Sequence, residues 1–440
     1  MKIFLKKTAC AFLAALLLAL PALLGGCGLF SDGNVYARVE EGLISADGFI
    51  YDLFENGDAE IVGINRNDIF PDTSTDGNGT TECHLVIPDT VDSHPVTSIG
   101  SDAFRGNTAL MYLTLGDNVR EIKRSAFEEC EALICVDGGK KLARIEDSAF
   151  SYCVSLCRFA DMPALKTIEA AAFFGCTALP SLPSMPALES LGTQAFFGCS
   201  LITSAHLADS CSSIGKSVFA ECTSLTEASL GGVTEVPDNA FSGCISLVNV
   251  TFGKKTTVIG ASAFRGCTRL ASPAIPKSVS AIGYRAFEGT AWLTESRDEF
   301  IIAGNGVLVR YNGTDANVEI PRSVKVISDA FSGNTSVRSV TVSGKVKTID
   351  EYAFSGCTAL GRVTMTSGVS TIREGAFAGC TALSVIYLPG SVKEIGKNAF
   401  SGCRYLTSVN FAGSAGKWNK IAFADGNGAL SDVVCGSKPQ

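Results

Sequence analysis

The apolar positions of the chain recur with a period of 23 residues. Residues 353–360 read AFSGCTAL and residues 376–383 read AFAGCTAL, so neighbouring units are almost identical. Apart from a 22-residue step into Phe241 and a 44-residue step into Phe331, the motif phenylalanines are 23 residues apart. They are Phe104, Phe127, Phe150, Phe173, Phe196, Phe219, Phe241, Phe264, Phe287, Phe331, Phe354, Phe377 and Phe400. Because so short a unit cannot enclose a core alone, the period predicts a stack of coils.

Within one unit the pattern predicts a short strand followed by a return path. In the last clear unit Ile386 and Leu388 flank Tyr387, an alternation that points the tyrosine away from the core. The sequence Pro389–Gly390 then ends the strand. An apolar residue five positions before each phenylalanine, here Ile395, belongs to the return path. No segment reaches the length of a stable helix, so only short helical turns are expected.

A column of cysteines accompanies the phenylalanines. Ten of them lie three residues after the motif phenylalanine, and Asn107, Thr290 and Asn334 replace them in other units. They are Cys130, Cys153, Cys176, Cys199, Cys222, Cys244, Cys267, Cys357, Cys380 and Cys403. Cys, Asn and Thr share a small side chain with a hydrogen-bonding atom, which suits a place against the backbone of the turn. Stacked coils lie about 4.8 Å apart, which permits disulfides, but parallel Cβ vectors favour buried, reduced, structural thiols.

The units, of the form LxxVxLPxxVxxIxxxAFxxC, resemble the BspA-type leucine-rich repeats of bacterial surface proteins. The segment HLVIPDTVDSHPVTSIGSDAF, ahead of the first unit, also resembles the way that family leads into its first coil. The resemblance implies a β-rich repeat solenoid, a right-handed superhelix of about 13 coils of 23 residues. It also implies a parallel sheet on the concave face, and a binding rather than catalytic role at the cell surface.

The N-terminus reads MKIFLKKTACAFLAALLLALPALLGGCGLF and is typical of an export signal, with lysines ahead of an apolar run. The sequence LGGC ending at Cys27 resembles the bacterial lipobox, which implies a lipidated Cys27 and removal of residues 1–26. An uncleaved membrane anchor and an ordinary signal peptide are the alternatives. Cleavage would remove three lysines and no acidic residue, which changes the net charge from −8 to −11. An acidic surface disfavours nucleic acid as a partner.

These observations predict five segments. They are a signal peptide at 1–26, a lipidated N-terminus and tether at 27–47, a β cap leading to the first coil at 48–98, the solenoid at 99–411 and a C-terminal cap at 412–440. Trp418 is expected to cover the last coil. An insertion near 288–317 contains EFIIAGNGVLVRYNG, which predicts a hairpin around Gly304–Gly306. It could be a lateral flap covering the stack or a dedicated binding loop.

The sequence offers little support for catalysis. Its histidines are His84, His94 and His206, and the combination of Cys83, His84 and His94 lacks a fourth metal ligand and a zinc-site spacing. The GxSxG, HExxH and phosphate-loop motifs are absent from the sequence. We therefore predict a protein that is not an enzyme and has no cofactor or metal site.

The register indicates which residues could bind a partner, because positions five and seven after the column residue should point outward from the sheet. The candidate binding residues are Tyr112, Arg158, His206, Glu227, Asn249, Arg362, Tyr387 and Asn410. They predict recognition of an extracellular or surface protein, such as adhesion to host or microbial proteins. Capture of polysaccharide or peptide for a neighbouring uptake system is the alternative. These residues could also merely keep the sheet soluble.

Overall fold

The computed structural model describes residues 29–31, 34–65, 73–75, 81–431 and 433–436. The predicted signal peptide and Cys27 lie outside these residues. Within them the chain forms a β-solenoid whose strands pair in parallel from coil to coil, with few and short helices. The helices are Ala291–Glu295 and Ala415–Trp418, and a 3₁₀ turn covers Gly428–Leu430.

The first nine strands build the N-terminal cap and the first coil. They are β1 (Leu29–Ser31), β2 (Asn34–Tyr36), β3 (Arg38–Ile44), β4 (Phe49–Phe54), β5 (Ala59–Ile64), β6 (Thr73–Thr75), β7 (Thr81–Val86), β8 (Thr90–Val91) and β9 (His94–Ile99). Strands β3, β4 and β5 pair antiparallel, and β5 then pairs in parallel with β9 of the first coil. The cap therefore begins before residue 48, since β3 lies in the segment predicted as a tether.

A buried ionic cluster joins the cap to the stack. Lys123 of the repeat region contacts the carboxylate of Glu60 from β5, and both side chains are almost fully buried. The Glu60 carboxylate also accepts a hydrogen bond of 2.8 Å from the Ser98 hydroxyl. Arg38 lies 3.2 Å from the Asp52 carboxylate, and the Arg38 and Lys123 cations both lie over the Phe54 ring. The cap is thus fixed to the stack by charge pairing as well as apolar packing.

Most coils contribute one strand to the front of the solenoid, shortly after the column residue. These front strands are β10 (Tyr112–Leu115), β12 (Cys135–Gly138), β14 (Arg158–Phe159), β17 (Ser204–His206), β19 (Glu227–Ser229), β21 (Asn249–Thr251), β26 (Asn317–Glu319), β28 (Ser339–Val342), β30 (Arg362–Met365), β32 (Val385–Leu388), β34 (Ser408–Phe411) and β36 (Val433–Cys435). In β32 the apolar Ile386 and Leu388 are buried while Tyr387 is half-buried, as the alternation predicts.

The front strands form three parallel sheets rather than the single parallel sheet that the family resemblance implies. The first contains β7, β10, β12 and β14, the second β17, β19 and β21, and the third β26, β28, β30, β32, β34 and β36. The chain is not a strand at 180–186, which contains three prolines, nor at 271–276, which contains two. Proline has no N–H to donate to a ladder, so these two coils interrupt the sheet.

The return path of each coil contributes a two-residue back strand, which ends five residues before the motif phenylalanine except at β27, where it ends four residues before Phe331, and at β35, which follows the last motif phenylalanine. These are β11 (Glu121–Ile122), β13 (Arg144–Ile145), β15 (Thr167–Ile168), β16 (Ser190–Leu191), β18 (Ser213–Ile214), β20 (Glu235–Val236), β22 (Val258–Ile259), β23 (Ala281–Ile282), β27 (Val326–Ile327), β29 (Thr348–Ile349), β31 (Thr371–Ile372), β33 (Glu394–Ile395) and β35 (Ala422–Phe423). They also pair in parallel, and the second residue of each, except Phe423, is buried.

Two ladders run through the stack behind the sheets. Rings of successive motif phenylalanines stack with centroids 4.8–5.5 Å apart, except across the insertion. Each column cysteine donates a hydrogen bond of 3.0–3.2 Å from its thiol to the carbonyl of the motif phenylalanine one coil earlier. All are free and buried. The thiol therefore donates its hydrogen bond to a main-chain carbonyl of the preceding turn and not to one of its own turn.

The residues that replace cysteine behave differently from it. The carboxamide oxygens of Asn107 and Asn334 accept hydrogen bonds from main-chain N–H groups of their own turns. The Thr290 hydroxyl donates to the Phe287 carbonyl, again within its own coil. Phe104 begins the series of motif phenylalanines and Phe331 follows the insertion, so in both cases the column asparagine has no preceding motif turn to bond. Column cysteines connect coils, whereas these substitutes stabilise a single turn.

The insertion lies within the stack and is not a lateral flap. Strands β24 (Phe300–Ala303) and β25 (Val307–Tyr311) form the predicted antiparallel hairpin, and β25 pairs in parallel with β27 of the following coil. Along β25, Val307 and Val309 belong to the core on the N-terminal side, while Leu308 and Tyr311 belong to the core on the C-terminal side. The apolar core is therefore divided in two at β25.

The C-terminal segment continues both sets of strands by one coil. Strand β35 pairs with β33, and β36 pairs with β34. The Trp418 ring contacts those of Phe411 and Phe423 edge to face, at centroid distances of 5.2 Å each. Trp418 thus packs on the last coil, as a lid should.

Candidate functional site

The outward side of the first front sheet carries a cluster of polar and aromatic side chains, which we call the first-sheet patch: His84, Tyr112, Thr114, Asp137 and Arg158. Register places Tyr112 between His84 and Cys135, and Cys135 beside Arg158. The His84 ring contacts the Tyr112 ring edge to face at 6.1 Å, and its Nε2 lies 2.9 Å from the Thr114 hydroxyl. The inward residues Leu113 and Leu115 are buried and fix this orientation.

An ion pair dominates the electrostatics of the first-sheet patch. The Arg158 guanidinium contacts the Asp137 carboxylate on the neighbouring strand, and the side chains are 65% and 41% exposed. Hydrogen bonding from Arg158 holds the pKa of Asp137 below its ordinary value. Asp137 therefore stays ionised and presents, together with Arg158, a fixed pair of opposite charges to solvent.

Cys135 lies on the outward side with its neighbours, as the register predicts, but its side chain is covered. Its side chain is only 8% exposed, because it is short and lies in register between the larger Tyr112 and Arg158. Its thiol is 3.3 Å from the Asp137 carboxylate, and burial followed by this contact raises the pKa of Cys135 to about 11. The thiol is thus protonated near neutral pH and is a poor nucleophile.

The second front sheet carries His206, Glu227 and Asn249, all exposed. Nε2 of His206 lies 3.2 Å from the Glu227 carboxylate. Glu227 is directly opposite Asn249 in register, whereas His206 is opposite Ser229. The pairing of His206 with Glu227 is therefore diagonal across two neighbouring strands.

The third front sheet carries Arg362, Tyr387 and Asn410. The Arg362 guanidinium lies 6.0 Å from the centroid of the Tyr387 ring, at the limit of a cation–π contact. Tyr387 is opposite Asn410 in register, and Asn410 donates a hydrogen bond of 2.9 Å to the Ser408 hydroxyl. Arg362 and Tyr387 thus lie next to each other on adjacent strands.

The eight candidate residues all lie on the outward side of the front sheets, but they do not form one surface. The two proline-containing coils separate them into three groups. Tyr112 and Arg158 share a row but are two strands apart, and Arg158 contacts Asp137 instead. Sequence reasoning also missed His84, which had been considered only as a metal ligand. The segment HLVIP could have identified His84 as an outward residue. Its Leu85 and Ile87 are buried in the same way as Leu113 and Leu115 one coil later, so His84 takes the position of Tyr112.

Two further observations concern the whole described chain. Among the residues that the structure describes, no group of three His, Cys, Asp or Glu side chains could hold a metal ion. Across the same residues, none of the helices has the length and apolar character needed to cross a bilayer.

The repeat identifies the family. The model of the BspA type leucine rich repeat region matches residues 84–203, 160–253, 189–297 and 311–428, which together cover more than half of the chain. The chain belongs to the BspA-type leucine-rich-repeat family. The BspA-type match is interrupted only between 297 and 311 in this region, where the hairpin lies. A comparison with curated proteins gives no match.

Several solved structures resemble this BspA-type chain. A leucine-rich repeat protein from Bacteroides ovatus is 22% identical, covering 88% of this chain and 98% of that one, with a TM-score of 0.45. A leucine rich cell surface protein from Faecalibacterium prausnitzii is 22% identical over 85% of this chain and 96% of its own, with a TM-score of 0.34. The pneumococcal vaccine antigen PcpA is 19% identical, covering 85% of this chain and 82% of its own, with a TM-score of 0.31.

Proposed function

We propose that this protein is exported, anchored to a bacterial membrane through a lipidated Cys27, and recognises another protein at the cell surface without catalysis. Membership of the BspA-type family supports a surface role in protein–protein interaction. The apolar leader and the LGGC sequence ending at Cys27 support export and anchoring. The partner would be an extracellular or surface protein of a host or another microbe, so the interaction would amount to adhesion.

The observation that carries this proposal is the first-sheet patch. Protein interfaces depend on a few aromatic and arginine side chains at the centre of a larger contact. Tyr112 and Arg158 provide these residue types on one rigid sheet, and Asp137 fixes the guanidinium. His84 restricts the tyrosine ring from the other side. Of the three groups of candidate residues, this one combines an aromatic side chain with an oriented ion pair.

Binding to an array of matrix proteins, microbial surface proteins and glycans tests the proposal. The variants Arg158→Ser and Tyr112→Ser should each weaken binding to a protein on the array about tenfold or more. Arg404→Ser and Tyr405→Ser are matched controls, because both residues are exposed and lie outside the front strands. Equal binding by all four variants would exclude the first-sheet patch. Binding to glycans alone would favour the alternative of polysaccharide capture.

Anchoring has its own test. Cells expressing the full chain and the Cys27→Ser variant are fed a labelled fatty acid and then fractionated. The unaltered protein should carry the label in the membrane fraction, and the variant should lack it. Label on both proteins would contradict lipidation at Cys27, while the recognition test above would be unaffected.

A further inference from the structure

A cavity of about 600 Å³ lies beside the hairpin, between the turn after Phe287 and the turn after Phe331. We call it the turn gap. Its walls include Glu288 and Gly289 on one side, Ser332 and Gly333 on the other, and Arg310 of β25 between them. Elsewhere in the stack, consecutive turns are in direct main-chain contact. The turn gap therefore takes the place of the turn of a missing coil.

The hairpin fills only the inner part of that missing coil. Tyr311 acts as its motif aromatic residue, because its ring stacks on Phe331 at 5.0 Å and its N–H donates to the Ala330 carbonyl at 3.1 Å. The phenylalanines of ordinary coils make this same bond to the residue before the next phenylalanine, which is alanine in all but one of these coils and Val218 in the other. After Tyr311, however, the Asn312 N–H donates back to Glu299 at 2.8 Å. After Tyr311 the chain therefore does not form the turn that follows the motif phenylalanine in other coils. The hairpin fills the apolar core of the missing coil, but the turn of that coil is absent.

The missing turn leaves main-chain groups without partners. In a complete pair of coils, two main-chain N–H groups donate to carbonyls of the next turn: that of the motif phenylalanine and that of the residue two positions later. The Phe264 N–H, for example, donates to the Ala286 carbonyl at 2.7 Å, and the Gly266 N–H donates to the Glu288 carbonyl at 2.8 Å. Phe331 and Gly333 donate in the same way to the turn that follows them. Among the described residues, neither the Phe287 N–H nor the Gly289 N–H has an acceptor.

The opposite wall shows the complementary deficit. Ser332 corresponds to Glu288, whose carbonyl accepts from the preceding turn, yet no described group donates to the Ser332 carbonyl. Asn334 gives an independent sign of the same break, because it bonds within its own turn instead of to a preceding coil. Two donors two residues apart on one wall and an acceptor on the other match the alternating groups of a peptide main chain.

The charges of the turn gap are nearly balanced. Arg285 lies 3.5 Å from the Glu288 carboxylate and over the Tyr284 ring. The Asp329 carboxylate accepts hydrogen bonds from the Arg285 N–H and the Ser328 hydroxyl, at 2.8 and 3.2 Å. Two arginines and two carboxylates therefore border the cavity. This balance favours a peptide main chain over a highly charged anion, which would need a clear excess of positive charge.

We propose that the turn gap binds a short segment of a partner polypeptide as a replacement for the missing turn. Peptide carbonyls accept from the N–H groups of Phe287 and Gly289, and a peptide N–H donates to the Ser332 carbonyl. This site is separate from the outward surface of the front sheets and does not depend on the proposed recognition there.

Hydrogen exchange of the purified protein, resolved to single amides by mass spectrometry, tests the proposal. The probe is acetyl-Ala-Ser-Gly-Asn-Thr-amide, which carries the turn sequence of residues 332–335. Without peptide, the Phe287 and Gly289 amides should exchange faster than Phe354 and Gly356, their equivalents in a complete coil. Millimolar peptide should slow exchange at Phe287 and Gly289 about tenfold and leave Phe354 and Gly356 unchanged.

Two variants separate binding in the turn gap from other causes. Thr294→Trp places a large side chain at the cavity wall and should abolish the protection. Thr314→Trp is the matched control, since Thr314 is exposed near the hairpin but does not line the cavity, and protection should persist. Slow exchange at Phe287 and Gly289 before peptide is added would overturn the proposal. So would unchanged rates at millimolar peptide, or the same protection from sodium acetate.

Discussion

The thiol of Cys153 donates a hydrogen bond to the carbonyl of Phe127 in the preceding coil, at 3.2 Å. Cys153 and Phe127 are 26 residues apart in sequence and are both fully buried. The same bond recurs along the column and joins consecutive turns where the phenylalanine rings stack. The cysteine column therefore stabilises contacts between coils.

Replacing Cys153 should show this role. Cys153→Ala removes the donor and leaves a small cavity, so we expect the free energy of unfolding to fall by about 1–3 kcal/mol. Cys153→Ser keeps a donor and should lose less. Urea denaturation followed by circular dichroism measures both, and Cys157→Ala, at an exposed cysteine, serves as the control. Equal stability of the Ala variants at 153 and 157 would contradict the assignment.

The column thiols should be unreactive in the folded protein. Burial raises the pKa of Cys130 and Cys199 to about 12, and thiolates are the reactive form. At pH 8, iodoacetamide should label the exposed Cys157 and spare the column, and unfolding should make every column thiol reactive. Mass spectrometry of the labelled protein distinguishes these states. Column cysteines that resist labelling after unfolding without reductant would indicate disulfides instead.

The same pKa shifts predict loss of stability in alkali. A thiol whose pKa is 9.0 when unfolded and about 12 when folded binds its proton more tightly in the folded state. Its contribution to stability is thus complete below pH 9 and is lost as pH rises from 9 toward 12. Urea midpoints between pH 7 and 11 should fall above pH 9, and less steeply for Cys130→Ala. Identical pH profiles for the two proteins would rule out this linkage.

The ionic cluster under the cap should be sensitive to removal of one partner. Lys123→Met leaves the buried Glu60 carboxylate without its lysine, so we expect a loss of about 3–5 kcal/mol. Adding Glu60→Gln should recover part of that loss, because no buried charge then lacks its counter-ion. Urea denaturation of the single and double variants gives the coupling free energy between Lys123 and Glu60. Strictly additive effects would show that the contact contributes little.

The phenylalanine ladder offers a matched comparison of two rings. Phe241 is fully buried and stacks between Phe219 and Phe264, whereas Phe174 is half-buried and stacks on Phe197 outside the main ladder. Phe241→Ala should cost about 3–5 kcal/mol, and Phe174→Ala about 1 kcal/mol. Denaturation of both variants decides this. A larger loss at Phe174 would contradict the importance of the central ladder.

Much of the fold could be predicted because the repeat constrains it strongly. One register assigns Ile386 and Leu388 to the core and Tyr387 to the surface, and the same register holds for Leu113 and Leu115. The outward position of all eight candidate binding residues followed from it. The register did not show that the outward-pointing Cys135 is covered, because alternation gives the direction of a side chain but not the size of its neighbours in adjacent coils.

The sequence by itself determined the solenoid, because a 23-residue period places like residues above one another and only a stack buries them all. The tertiary structure alone decided three other features: the division of the front into three sheets, the pairing of each thiol with the preceding turn, and the position of the hairpin. Each depends on contacts between coils, where a missing N–H at Pro183 or an absent turn after Tyr311 changes what the neighbouring coil can bond. The 23-residue period therefore determines the path of a single coil, whereas the adjacent coils determine which of its main-chain N–H and C=O groups find hydrogen-bond partners.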